Sequence, residues 1–115
     1  MRAGVLRHRV RLQNLTTVVD PNTGYRTNEW VDDAPQPPAG LPAEVVPLSG
    51  REFLAAAAQQ SKVSVRITIR YRPGVNHRQR LLHGGQILNI EAVLPDNRSG
   101  REWLTLMCSE GVNDG

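Results

Sequence analysis

Apolar and polar residues alternate over much of the chain, and a period of two predicts strands. From Val5 to Gln13, the side chains of Leu6, His8, Val10 and Leu12 point one way. Those of Arg7, Arg9, Arg11 and Gln13 point the other way. The segments Leu15–Val19 and Tyr25–Val31 flank Asp20-Pro21-Asn22-Thr23-Gly24, where Pro presets φ and Gly supplies positive φ. Together they predict a long hairpin. The clearest alternation runs from Val63 to Arg72. Val63, Val65, Ile67, Ile69 and Tyr71 form one face, and Ser64, Arg66, Thr68, Arg70 and Arg72 form the other. Leu81–His83 and Gln86–Leu94 enclose Gly84-Gly85, which suits a tight hairpin turn. Arg101–Ser109 reads as a last strand with Leu104, Leu106 and Cys108 on one face, after a polar loop at Pro95–Gly100. Residues 110–115 read as a flexible tail.

Two stretches break the alternation. Asp32–Pro42 carries Pro35, Pro37, Pro38 and Pro42 with Gly40, and is expected to be a semi-rigid loop outside any strand. A short strand follows at Ala43–Leu48. Ser49-Gly50-Arg51-Glu52 then matches a capping box, in which the Ser49 hydroxyl accepts the Glu52 backbone N–H and the Glu52 side chain reaches back. The alanine-rich Phe53–Gln60 has high helix propensity. A helix this short is marginal alone, so it calls for a packing surface. Six or seven strands, one short helix and many Gly and Pro turns predict a mainly β fold. The expected architecture is a small antiparallel β-barrel with one helical excursion, about Ser49 to Lys62, between two strands.

The 115 residues suit a single domain. With aromatic residues at 4%, its core must be aliphatic. One cysteine excludes an intrachain disulfide and any paired-thiol metal site. No apolar run is long enough to span a membrane or serve as a secretory leader. The net charge of +3 rests almost wholly on arginine, Lys62 being the single lysine. The outward arginines Arg7, Arg9, Arg11, Arg66, Arg70 and Arg72 are either a solvated face or a contact for an acidic partner or DNA phosphate. Stacking aromatics are too few for a single-strand platform, so any nucleic-acid contact is expected to be electrostatic and non-specific.

Catalytic chemistry finds no support. His8, His77 and His83 form no HxH or HExxH pair, and Cys108 sits on an apolar strand face as a small hydrophobe. The carboxylates are scattered, no G-x-S-x-G elbow surrounds Ser49, and Gly84-Gly85 precedes no P-loop lysine. No enzyme, cofactor or metal is expected.

Several segments, in order, carry a resemblance. Met1-Arg2-Ala3-Gly4-Val5-Leu6-Arg7-His8-Arg9-Val10 opens the chain. Pro47-Leu48-Ser49-Gly50-Arg51-Glu52-Phe53 lies at its centre. Arg66–Val75, Ile87–Ile90 and Leu104–Glu110 complete the set. The chain resembles the head–tail joining proteins of siphophage necks, the head-completion or stopper proteins, with their gene-transfer-agent relatives. The resemblance implies a virion protein assembled in the host cytoplasm. It implies a β-barrel subunit of a dodecameric ring below the portal and adaptor rings, with a tail terminator or tail tube protein beneath. It also implies that the excursion reaches the channel and helps retain packaged double-stranded DNA. That role would fall to Ser49, Gly50, Arg51, Glu52, Phe53, Leu54, Gln59, Gln60 and Lys62. The alternatives are another neck protein, an adaptor or tail terminator, or a small nucleic-acid-binding β-barrel.

Overall fold

The computed structural model describes residues 6–111. Val5, at the start of the first expected strand, and residues 112–115 of the expected tail lie outside the described residues. Seven strands and one helix follow in chain order: β1 His8–Val19, β2 Arg26–Asp32, β3 Leu41–Pro47, α1 Gly50–Ala58, β4 Val65–Arg70, β5 Arg80–His83, β6 Gln86–Pro95 and β7 Trp103–Glu110. All pairings are antiparallel. The order β1-β3-β4-β7-β6-β5 closes through a β1–β5 pairing into a six-stranded barrel. The mainly β barrel with one short helix is thus the observed fold.

A barrel this narrow is filled by its own side chains. The alternation read from the sequence supplies them: Val10 and Leu12 from β1, Ile67 and Ile69 from β4, and Leu81 from β5. Leu88 and Ile90 come from β6, and Leu104, Leu106 and Cys108 from β7. A register shift between Ile90 and Ala92 leaves Glu91 as an extra residue in β6. Such a bulge bends a strand and helps to close a barrel. Tyr71 departs from the expected inner face. It follows the end of β4 and is exposed, because the ladder turns away there into Pro73-Gly74.

The β1–β2 pair leaves the barrel. The first half of β1 pairs with β3 through His8–Val10 and with β5 through Arg11–Gln13. Gln13 pairs with β2 as well as β5, and beyond it Asn14–Val19 pairs only with β2. This hairpin arm extends about 23 Å at roughly 3.3 Å per residue, in a molecule of 51 × 32 × 26 Å.

Two expectations are corrected. Pro42 lies inside β3, opposite Arg9 of β1, not in the preceding loop. At Leu41 and Pro42 the strand is paired on the β1 side alone, so the missing proline N–H breaks no ladder there. The tail expected from residue 110 does not include its first two residues: Glu110 belongs to β7, and the Gly111 N–H donates to the Ile87 carbonyl at 2.8 Å.

The proline-rich loop is folded back onto β1. The Gln36 side-chain amide accepts the Leu12 N–H and donates to the Leu12 carbonyl, both at 2.9 Å. One side chain thereby fills the gap between β2 and β3 along the same edge of β1. Gly40 closes the loop at φ +96°, and a Cβ there would lie 2.6 Å from the Val10 carbonyl oxygen. Only glycine fits so close to another backbone.

Candidate functional site

The excursion after β3 is built by its local sequence. Ser49 caps α1, and the capping box is complete, with Glu52 N–H to Ser49 Oγ and Ser49 N–H to Glu52 Oε1 both at 3.2 Å. Gly50 opens the helix and Gln59 caps its far end. Gln60 takes φ +62°, with its N–H on the Ala57 carbonyl and the Ser61 N–H on the Ala56 carbonyl. This is a Schellman ending with glutamine where glycine is usual. The helix closes both of its ends with its own residues and buries none of them. Among the described residues it packs extensively on no strand. Arg51, Phe53, Leu54 and Lys62 face solvent, and Leu54 is 70% exposed. Among the described residues one ion pair, Arg66 to Glu52, ties the helix to the barrel. The Ser49 hydrogen bonds, joined by Arg66, hold the Glu52 carboxyl below its ordinary pKa.

The six arginines singled out in the sequence are spread across the surface, and most meet groups of their own chain. Arg7 precedes β1 and is exposed. Arg9 donates to the Gly40 carbonyl at 3.2 Å. Arg11 pairs with Asp32 at 2.8 Å and also reaches the Pro38 carbonyl. Arg72 pairs with Asp33 at 2.8 Å and donates to the Pro35 carbonyl at 3.0 Å. Arg66 holds Glu52, and the Arg70 guanidinium lies 5.6 Å from the Trp103 ring centre. Arg9, Arg11 and Arg72 thus clamp the proline-rich loop.

The arm is a surface that the strand alternation alone does not mark. Leu15, Val18, Val19, Tyr25 and Val31 are all exposed on it. Arg80 pins its foot, with the guanidinium 4.3 Å from the Trp30 ring centre and Nε donating to Gln13 Oε1 at 2.9 Å. Burial lowers the Arg80 pKa from its ordinary value. Arg80, one residue before the strand expected from Leu81, is the buried first residue of β5. The lone apolar flanks of a hairpin turn were the signal that could have flagged the arm.

Among the described residues no three His, Cys, Asp or Glu side chains gather as a metal site. Burial, with the Glu91 carboxylate nearby, pushes the Cys108 thiol up to about 12. No helix among the described residues is long and apolar enough to cross a membrane.

The family model for the phage head completion protein matches residues 1–111. The chain belongs to the phage head completion protein family. It is 34% identical over 117 residues to the head completion protein gp7 of Enterobacteria phage HK97, covering 97% of this chain and 98% of that protein. Among solved structures, protein SF1141 from Shigella flexneri 2a superposes with a TM-score of 0.72 at 33% identity, covering 99% of this chain and 100% of the other. A chain from the virion of a native gene transfer agent particle shares the fold, with a TM-score of 0.52 at 22% identity over 90% of this chain and 94% of that one. This head completion protein is a structural component of the phage virion and not a member of an enzyme family.

Proposed function

We propose that the protein forms a ring beneath the portal and adaptor rings, closes the DNA-filled head, and offers the surface on which the tail terminator or tail tube docks. The observation that carries this reading is α1. It is an alanine-rich helix, capped at both ends, with Phe53 and Leu54 in solvent and no surface of its own barrel to cover them. In a ring, helices from neighbouring copies converge on the axis and supply that surface to one another. Residues 55–58 are all alanine, so the closure packs side chains and does not grip phosphate. Any contact with the packaged duplex is electrostatic, non-specific and secondary to that packing. Opening is a population shift driven from the tail side. A mainly β chain does not suit the mainly helical build expected of an adaptor.

The test uses particles assembled without this gene. Heads that lose DNA and lack tails, and that regain both when purified protein is added, support the reading. Full heads with normal tails refute it. In the same assay, Leu54→Asp should impair DNA retention; if retention and tail joining both survive it, the packed closure is wrong.

A further inference from the structure

The arm carries two open sheet edges, and its hydrogen bonds define what can fill them. Across the hairpin the Asp20 N–H donates to the Tyr25 carbonyl at 2.9 Å, and the Asp33 N–H to the Leu12 carbonyl at 2.9 Å. In an antiparallel ladder, backbone groups point alternately to the two sides of a strand. On β1 the even-numbered residues therefore face β2, while Leu15, Thr17 and Val19 aim their N–H and C=O groups outward. On β2 the outward set is Arg26, Asn28, Trp30 and Asp32. All seven side chains lie on one face of the hairpin, as the pairs Leu15 with Trp30, Thr17 with Asn28 and Val19 with Arg26 require.

The β1 edge from Leu15 to Val19 holds no charge, no proline and no bulge. Native proteins normally protect such an edge, because it templates pairing with another strand. Both edges are open on the same hairpin, so one head-to-tail contact repeated between copies satisfies both. Pairing of like edges satisfies one and strands the other.

We infer that the β2 edge of one copy pairs antiparallel with the β1 edge of the next, so that the arms join into one continuous sheet. The inference rests on the multi-copy ring proposed above and names one of its contacts. Arms pointing the same way about a rotation axis present β2 antiparallel to the neighbour's β1, the direction hydrogen bonding needs. The parity of the outward residues sets the Leu15, Val19 and Trp30 faces flush from copy to copy. The Asp32 end of the incoming strand arrives at the foot of the arm, where Arg78 lines an open groove with Asn14, Leu15, Asn76 and Gln79.

Two differently tagged genes, one carrying Thr17→Cys and the other Asn28→Cys, would be expressed together in place of the native gene. Purified particles would then be treated with a short homobifunctional maleimide. Cys108 is fully buried and gives little background. The expected product is a linked pair carrying both tags. Links only between identical variants, links to a different particle protein, or no links in particles holding many copies overturn the arm contact and leave the ring standing. A single copy per particle, by quantitative mass spectrometry, removes the ring and this contact together. As a second arm of the test, Thr17→Pro removes an outward N–H and no backbone hydrogen bond of the hairpin ladder; the only other bond it removes there is the solvent-exposed one from Thr17 Oγ1 to Asn28 Oδ1. It should leave the melting temperature of the isolated protein unchanged and abolish incorporation into particles. Normal incorporation would overturn the inference.

Discussion

In the barrel Leu12, Ile67 and Leu106 are completely buried, whereas Leu54 on the helix and Val19 on the arm are 70% and 52% exposed. The barrel is held by tertiary packing. The helix and the arm are held by polar devices: caps at both ends of α1, and at the foot of the arm the Arg80 stack on Trp30 with its hydrogen bond to Gln13. The contrast teaches that this chain spends its long-range apolar contacts on a scaffold, and keeps its excursions folded without them.

The most forceful test of that contrast is truncation of equivalent leucines. Leu106→Ala should destabilise the protein by about 2–5 kcal/mol, through lost burial and the cavity left behind. Leu54→Ala should change stability by less than about 0.5 kcal/mol. Urea unfolding of the two variants checks this, and equal losses would erase the distinction between scaffold and excursion. Next in size is Gly40→Ala, expected to cost about 1–3 kcal/mol, because a Cβ at φ +96° meets the Val10 carbonyl. A melt unchanged from the parent would show that the loop is not clamped to β1.

Smaller effects should stay local to the helix. Ser49→Ala should cost α1 about 1 kcal/mol, read as faster amide exchange at Phe53 and its neighbours with the barrel transition unmoved. Gln60→Gly should act in the opposite direction by about 1 kcal/mol, since it relieves a left-handed residue. The smallest expected effect is at Asp96, whose carboxylate accepts N–H groups from Arg98, Ser99, Gly100, Glu102 and Trp103. These bonds, the one from Glu102 foremost, hold its pKa down to about 2, against 3.8 ordinarily. A depressed folded pKa means that the stabilisation is fully present above pH 3.8 and fades as pH falls through about 2. Asp96→Asn should therefore be less stable than the parent near neutrality, with the gap closing in acid. A gap that stays constant with pH would sever the loop's order from the charge.

Features set by neighbouring residues were legible in the sequence: the β4 and β7 alternation, the Gly84-Gly85 hairpin, the capping box at Ser49, and the turn at Asp20–Gly24. Features that depend on distant partners were not. Nothing near Gln36 announces that its amide will complete the ladder at Leu12, and nothing near Arg80 announces the Trp30 ring that lets a guanidinium be buried. Pro42 was misplaced for the same reason, since proline is tolerated in a strand only where one side lacks a ladder, and pairing partners decide that. At the excursion, the position and caps of the helix followed from local chemistry. The arginines read as an outward basic stripe were harder, because Asp32, Asp33 and the loop carbonyls that engage Arg11 and Arg72 lie far along the chain.

Cys108 has a consequence for the life of the particle after release. A virion leaves the reducing interior of its host for aerated surroundings, where exposed thiols oxidise and cross-link over days. With the thiol pushed up to about 12, the reactive thiolate fraction at pH 8 is on the order of 10⁻⁴. The barrel therefore ages without thiol chemistry, and storage in air should leave it as free of covalent dimers as on the day it was made.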